Sequence, residues 1–461
     1  MKKKRIYLNA FDMNCVVHQS PGLWRHPEDQ AHKYKDIEYW VELAKILEKG
    51  RFDGLFIADV IGIYDVYGNN KETTVREATQ VPVNDPILLV SAMAHATKHL
   101  GFGITCSTTF EHPYPFARRM STLDHLTKGR IAWNIVTSYL ESGTKNIEIG
   151  DKFQHDKRYQ IADEYLEVCY KLWEGSWEDG AVLRDKETGV FTDPTKVHEI
   201  QHHGEFFNVP GIHLCEPSPQ RTPVLFQAGA SEAGKRFAAK HAECTFISVP
   251  AKDAAKAYVK DLREKAKALG RDPESIKVFA LFTPIVGRTE EEAWAKYNEL
   301  ASYVSVEGAL SLLSGWSGVD FSQYDLDEEI KYIDTNAIKS MLEVLTKYSP
   351  NKKWTVRELA NFAGIGGLGP VAVGTPEQIA DTFEEWIDET DIDGFNIAYA
   401  ITPGTFADFA ELITPELQRR GLLKTEYEEG VYREKLFGKG NVYLSEDHIG
   451  SSFRNKYKVT I

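Results

Sequence analysis

Residues 222–249 read TPVLFQAGASEAGKRFAAKHAECTFISV. An apolar run (222–229) gives way to a stretch with helical periodicity (232–243), and a second apolar run follows at once (243–249). Strand, helix, strand with short joints is a parallel unit, because parallel neighbours need a crossover and a helix supplies it. Continuous apolar runs belong to strands buried on both faces. The joint itself carries a second message. Gly229 permits close backbone approach, and Ser231 stands where a helix N-cap belongs. The residues after it bring free N–H groups, a common seat for phosphate.

Working outward, the unit repeats. Strand patterns fall at 5–11, 54–60, 100–108, 130–138, 276–287 and 394–401, with helical patterns at 37–50, 86–100, 158–174, 254–270 and 375–389. The last opens on Thr375, Pro376 and Gln378, an N-cap, a first-turn proline and a capping-box partner. Eight such units predict a (β/α)8 TIM barrel in the α/β class. Residues 175–221 form an insertion after unit four, and 304–374 a longer one after unit seven with its own helical pattern near 327–347. Residues 422–461 read as a C-terminal extension. No flexible linker divides the chain, so 1–421 is expected to be one barrel domain.

Composition bounds the function. The 461 residues are 42% hydrophobic and carry a formal charge of −14, which disfavours nucleic acid and anionic membranes as partners. Five widely spaced cysteines without a CxxC pair suit reduced thiols in a cytoplasmic protein, not a zinc site or a disulfide frame. The opening MKKKRIYLNAF lacks the apolar stretch of an export signal, and no segment reads as a membrane span.

Barrel enzymes place their chemistry where the strands end. Polar residues gather there: Asp12, Asn14, Cys15 and His18 after strand one, Asp59 and Tyr64 after strand two, Thr105 on strand three and Asn134 on strand four. Any one of them reads equally well as a loop-edge residue, but together they outline a ligand site. HDKRYQIADEYLE (155–167) starts a helix with His155, Arg158 and Tyr159 on one face, since residues three and four apart are neighbours. That helix end and the Ser231 loop belong to adjacent units and are expected to face one phosphate. GIGGLG (364–369) satisfies a dinucleotide pattern but follows no clear strand, so it reads as a mobile loop able to close over the pocket. His202 and His203 are adjacent and would point to opposite sides; no metal site is expected.

Several blocks carry a resemblance: GLWRHP (22–27), FDGLFIADV (52–60), TLDHLTKGRIAWNIVTS (122–138), HDKRYQIADEYLE (155–167), KVHEIQHHGEFFNVPG (196–211), the 218–243 stretch and YREKLFGKG (432–440). The chain resembles the bacterial-luciferase-like flavin monooxygenases, in the branch that acts on nitrilotriacetate, dibenzothiophene sulfone and long-chain alkanes. The resemblance implies reduced FMN supplied by a separate NAD(P)H:flavin reductase, and oxygen transfer from a C4a-(hydro)peroxyflavin to a bulky apolar substrate. It also implies a homodimer or homotetramer. By the same resemblance Asp59, Thr105, Asn134, His155, Tyr159 and Ser231 would contact FMN, with Tyr159 and Ser231 on its phosphate. Cys15, His18, Tyr64, Gln80 and Asn134 become candidates near the reacting ring, and Phe11, Phe56 and Phe246 apolar walls of the substrate pocket. An alkane-like or aryl-sulfone-like substrate is expected, with an aminopolycarboxylate as the alternative. A deazaflavin F420-dependent oxidoreductase, a metal-dependent barrel hydrolase and a non-catalytic binding protein are the competing readings.

Overall fold

The computed structural model describes residues 4–147, 155–229, 231–330 and 352–454. Eight parallel strands form the barrel: β1 (Tyr7–Met13), β2 (Gly54–Ala58), β3 (Gly101–Ser107), β4 (Ile131–Val136), β5 (Val224–Gln227), β6 (Cys244–Ile247), β7 (Lys277–Val286) and β8 (Gly394–Ile397). Each pairs with the next, and β8 returns to β1 through Tyr7 opposite Gly394, so the sheet closes with no free edge. Every expected strand is present.

Alternation along each strand builds two cores. Leu8, Ala10, Leu55, Ile57, Phe102, Ile104, Ile131 and Trp133 point outward and pack beneath the helices. Phe11, Phe56, Ala132, Phe226, Phe279 and Leu281 point inward and fill the barrel. The covering helices include Ile37–Lys49, Pro113–Thr127, His155–Tyr170, Glu232–His241, Lys252–Ala268 and Pro376–Thr390. The expected capping box closes at the last of these: Thr375 N donates to Gln378 Oε1 at 2.9 Å, and Gln378 N donates back to Thr375 Oγ1 at 3.4 Å.

One further strand, Val371–Gly374, extends β7 beyond the barrel rim, pairing with Thr283–Val286. The 175–221 insertion holds a short hairpin, His202–His203 against Asn208–Val209. Its loop amides at Phe206 and Phe207 donate to Glu164, which ties it to the 155–170 helix. His202 is buried and His203 exposed, as adjacent residues on an extended segment should be. In the second insertion, helices Val306–Ser317 and Val356–Ala363 share a small core of their own. Most of the helical pattern near 327–347 lies outside the described residues.

The tail, though an extension in sequence, is a floor in space. Helix Tyr432–Phe437 lies under the barrel, and the Tyr432 hydroxyl donates to Asn9 Oδ1 at 3.2 Å. A Cβ on Gly101 would sit 2.6 Å from that ring, and one on Gly54 2.4 Å from its hydroxyl; both strands begin on glycine to admit it. Arg433 beside it is buried and forks onto Glu243 at 2.6 and 3.0 Å, with the carbonyls of Thr222, Pro223 and Val442 taking its other protons.

Candidate active site

A cavity of about 490 Å³ opens at the C-terminal ends of the strands. Its floor is aromatic. Phe11, Phe56 and Phe246 meet with ring centroids 4.9 to 5.7 Å apart, and His18 stands edge-on to Phe11 at 4.4 Å. Above them the lining turns polar: Asp59, Thr105, Asn134 and Gln227 from strand ends, Tyr64 and Gln80 from the second loop, and Arg158 and Tyr159 from the helix after β4.

Several of these groups hold unused hydrogen-bonding capacity. Asn134 donates to Thr105 Oγ1 at 2.9 Å, which turns its carbonyl oxygen elsewhere. That oxygen, Gln227 Oε1 and His18 Nδ1 are buried with no partner among the described residues. Buried polar atoms are rarely left so, and three around one cavity are what a polar, many-donor ligand would complete. Burial decides the charges. It pushes Asp59 up to about 7, with Asp85 adding repulsion and the Val60 amide opposing, and it presses His18 down to about 3, so that imidazole is neutral.

One end of the cavity meets a helix terminus. Ser231 caps Glu232–His241, its Oγ accepting from Gly234 N at 3.0 Å. The Tyr159 hydroxyl lies 3.0 Å from the position a Cβ on Gly234 would take, and Gly229 Cα is equally close. Helix amides, a phenol and a backbone bare of side chains therefore converge, with Arg158 close by as a cation. Arg158 also donates to the Ser138 carbonyl. These residues fit a phosphate.

Most of the expected site residues thus share one cavity: Phe11, His18, Phe56, Asp59, Tyr64, Gln80, Thr105, Asn134, Tyr159 and Phe246. Ser231 stands just outside, at the cap. Cys15 does not line the cavity: it is buried, its thiol donates to the Val17 carbonyl at 3.3 Å, and burial holds it well above the usual thiol range. In this arrangement the thiol faces the loop backbone and not the cavity. The side chain of His155 lies outside the described residues.

Among the wall residues not assigned to the pocket from sequence, two stand out. Tyr139 follows β4, and Trp316 comes from the second insertion, whose helix leans over the mouth. Tyr64 packs so tightly on that helix that a Cβ on Gly315 would stand 2.0 Å from its ring. The GIGGLG loop is docked against the chain after β1. Gly366 N donates to Ser20 Oγ and Gly367 N to the Gln19 carbonyl, both at 3.0 Å, and residues 363–367 are buried. Among the described residues no group of three or more His, Cys, Asp or Glu side chains is placed to hold a metal ion, and no helix is long and apolar enough to cross a membrane.

A closed barrel with an aromatic-floored chamber and a phosphate-ready helix end at its C-terminal face defines the class, and residues 15–393 match the family model described as luciferase-like monooxygenase. The chain belongs to that family of flavin-dependent oxidoreductases. It is 55% identical over 452 residues to the long-chain alkane monooxygenase of Geobacillus thermodenitrificans, covering 98% of both chains. It is 54% identical to the dimethyl-sulfide monooxygenase of Hyphomicrobium sulfonivorans, covering 99% of this chain and 95% of that one. Among solved structures, a riboflavin lyase with modified FMN and riboflavin is 37% identical and superposes with a TM-score of 0.88, covering 98% of this chain and all of the other.

Proposed function

We propose that the chain is the oxygenase of a two-component system that takes reduced FMN from a separate flavin reductase and uses O2 to oxygenate a small apolar molecule. The observation that carries this reading is the junction of two unlike surfaces in one chamber: a phosphate-ready end at Tyr159, Gly234 and Ser231, and an apolar floor of three phenylalanines. FMN has that polarity, with a dianion at one end and a flat ring at the other.

Reduced flavin, once bound, supplies the activation of O2 and the transfer of an oxygen atom. The protein's share is placement and dryness. The Tyr159 hydroxyl and the helix amides would hold the phosphate, with Arg158 balancing its charge. Asn134 Oδ1, Gln227 Oε1 and Thr105 would receive ribityl hydroxyls or ring N–H groups. Phe11, Phe56 and Phe246 exclude water from the reacting face, and neutral His18 presents a ring nitrogen without carrying charge into the apolar floor.

For substrate, the long-chain alkane and dimethyl-sulfide relatives favour a neutral apolar molecule. Arg158 is the one guanidinium among the described lining residues, too few for an aminopolycarboxylate. Two tests follow. Purified protein should bind reduced FMN and consume O2 with alkanes or alkyl sulfides only when a flavin reductase is supplied; tight F420 binding in its place overturns the reading. The double variant Tyr159→Phe, Ser231→Ala should lose flavin affinity, and unchanged affinity removes the phosphate seat. We expect a homodimer or homotetramer, which light scattering checks.

A further inference from the structure

A directed chain of hydrogen bonds runs from the cavity mouth into the protein. Gln80 Nε2 donates to the His18 carbonyl at 2.9 Å, and this fixes the orientation of the amide. Its Oε1 therefore faces Tyr64, whose hydroxyl donates to it at 3.0 Å. A phenol has one proton. With that proton committed, Tyr64 Oη can only accept from Tyr139, whose hydroxyl is 2.8 Å away. The Tyr139 proton is thereby committed too. Both phenols keep their protons at neutral pH, since an ordinary phenol titrates near 10 and burial raises Tyr64 further.

Tyr139 is half exposed and lines the cavity. It is aimed there by Ser138, whose left-handed backbone (φ 54°) turns the chain sharply after β4. With its proton pointed away, Tyr139 offers the cavity lone pairs only.

We propose that Tyr139 is a fixed hydrogen-bond acceptor at the cavity mouth, selecting apolar ligands that carry one hydrogen-bond donor, alcohols above all, over ligands that only accept, such as ketones and sulfoxides. The inference rests on reading this chamber as the site of an apolar substrate. It also sorts the reactions open to the site. Hydroxylation of a carbon takes an alkane, O2 and reduced FMN to an alcohol, water and oxidised FMN: one oxygen atom enters the C–H bond and the other leaves as water, the flavin giving up two electrons and two protons. The product carries an O–H donor that Tyr139 can receive. Oxidation of a sulfide takes the same O2 and reduced FMN to a sulfoxide, water and oxidised FMN. That product carries an S=O group, which Tyr139 cannot serve. The polarity favours a carbon-hydroxylating reaction.

The experiment is equilibrium binding of cyclohexanol and cyclohexanone, a pair matched in shape, to the flavin-free protein by calorimetry. The wild type should prefer the alcohol by about three- to tenfold, the worth of one net hydrogen bond. Tyr139→Phe should abolish the preference by weakening the alcohol. Tyr64→Phe keeps Tyr139 but frees its proton, so it should abolish the preference by strengthening the ketone, a change that a merely structural role for Tyr64 would not produce. Equal binding of the two by wild type, binding of neither, or a preference that survives Tyr64→Phe overturns the proposal. No flavin enters the measurement, so failure of FMN to bind is a separate result, bearing on the cofactor reading alone.

Discussion

The Tyr159 hydroxyl stands 3.0 Å from where a Cβ on Gly234 would be, so the helices after β4 and β5 touch at a point where a methyl enters only if its neighbours give way. Gly234→Ala should therefore cost flavin affinity by about tenfold, or about 1.4 kcal/mol. The fold should hold, because alanine inside a helix is favoured over glycine by about 1 kcal/mol. Flavin-quenching titrations beside thermal melts check both halves.

Gly315 makes the corresponding contact at the mouth, where a Cβ would run into the Tyr64 ring at 2.0 Å. In Gly315→Ala the helix gains propensity while Tyr64 is pushed off Gln80 and Tyr139. We expect a product yield per reduced flavin lower by about tenfold or about 1.4 kcal/mol, with the missing oxygen appearing as hydrogen peroxide. A peroxide assay run beside product analysis reads this directly.

Arg433 and Glu243 form a buried pair beneath the barrel, with Arg433 1% and Glu243 6% exposed. Removing one member of such a pair strands the other's charge, at a cost of about 3 to 5 kcal/mol. Arg433→Met should lower the urea midpoint accordingly, although Arg433 lies far from the cavity lining. An unchanged midpoint would mean that Glu243 finds another donor.

Acid and base act on stability in opposite senses. His213 is buried and held down at about 4, whereas the unfolded chain takes its proton near 6.5. Its contribution is thus fully present above about 6.5 and is lost as pH falls toward 4, by at most about 1.4 kcal/mol per pH unit. Asp12, buried at the end of β1, is pushed up to about 7 from 3.8. Its contribution is present below 3.8 and is lost as pH rises through 7. Relative to wild type, the stability–pH curve of His213→Gln should tilt toward acid and that of Asp12→Asn toward base. Denaturant melts between pH 4 and 8 would show parallel curves if burial did not set these protons.

The barrel was legible because each of its strands is a continuous apolar run, and such runs have few homes other than a covered parallel sheet. The Val371–Gly374 strand was not, being four residues behind a proline and a glycine-rich turn. YREKLF hid the floor helix for the opposite reason. Its alternating charges suggest a solvated surface, yet Arg433 and Lys435 are buried on partners that only the closed barrel provides, among them Glu243 and the His99 carbonyl. Strand-end residues such as Asp59, Thr105 and Asn134 could be placed at the cavity because a barrel sends strand ends to one rim. Cys15 could not, since a thiol's direction in a loop depends on the local bend. Tyr139 and Trp316 meet Tyr64 from distant segments, a fact of packing alone. GIGGLG looked loose from its glycines, and those glycines are what let it dock: Gly366 and Gly367 take φ of 72° and 73° against Ser20 and Gln19.

The residues that seal the barrel from below come after its eighth strand in the chain. A chain that stopped after β8 would therefore own all eight strands and still have an open underside at Gly54 and Gly101, where the Tyr432 ring now sits. Closure must await synthesis of Tyr432 and Arg433. A premature stop between β8 and Tyr432 should yield a barrel less stable than the full chain, which limited proteolysis of the truncated protein beside the full-length one checks.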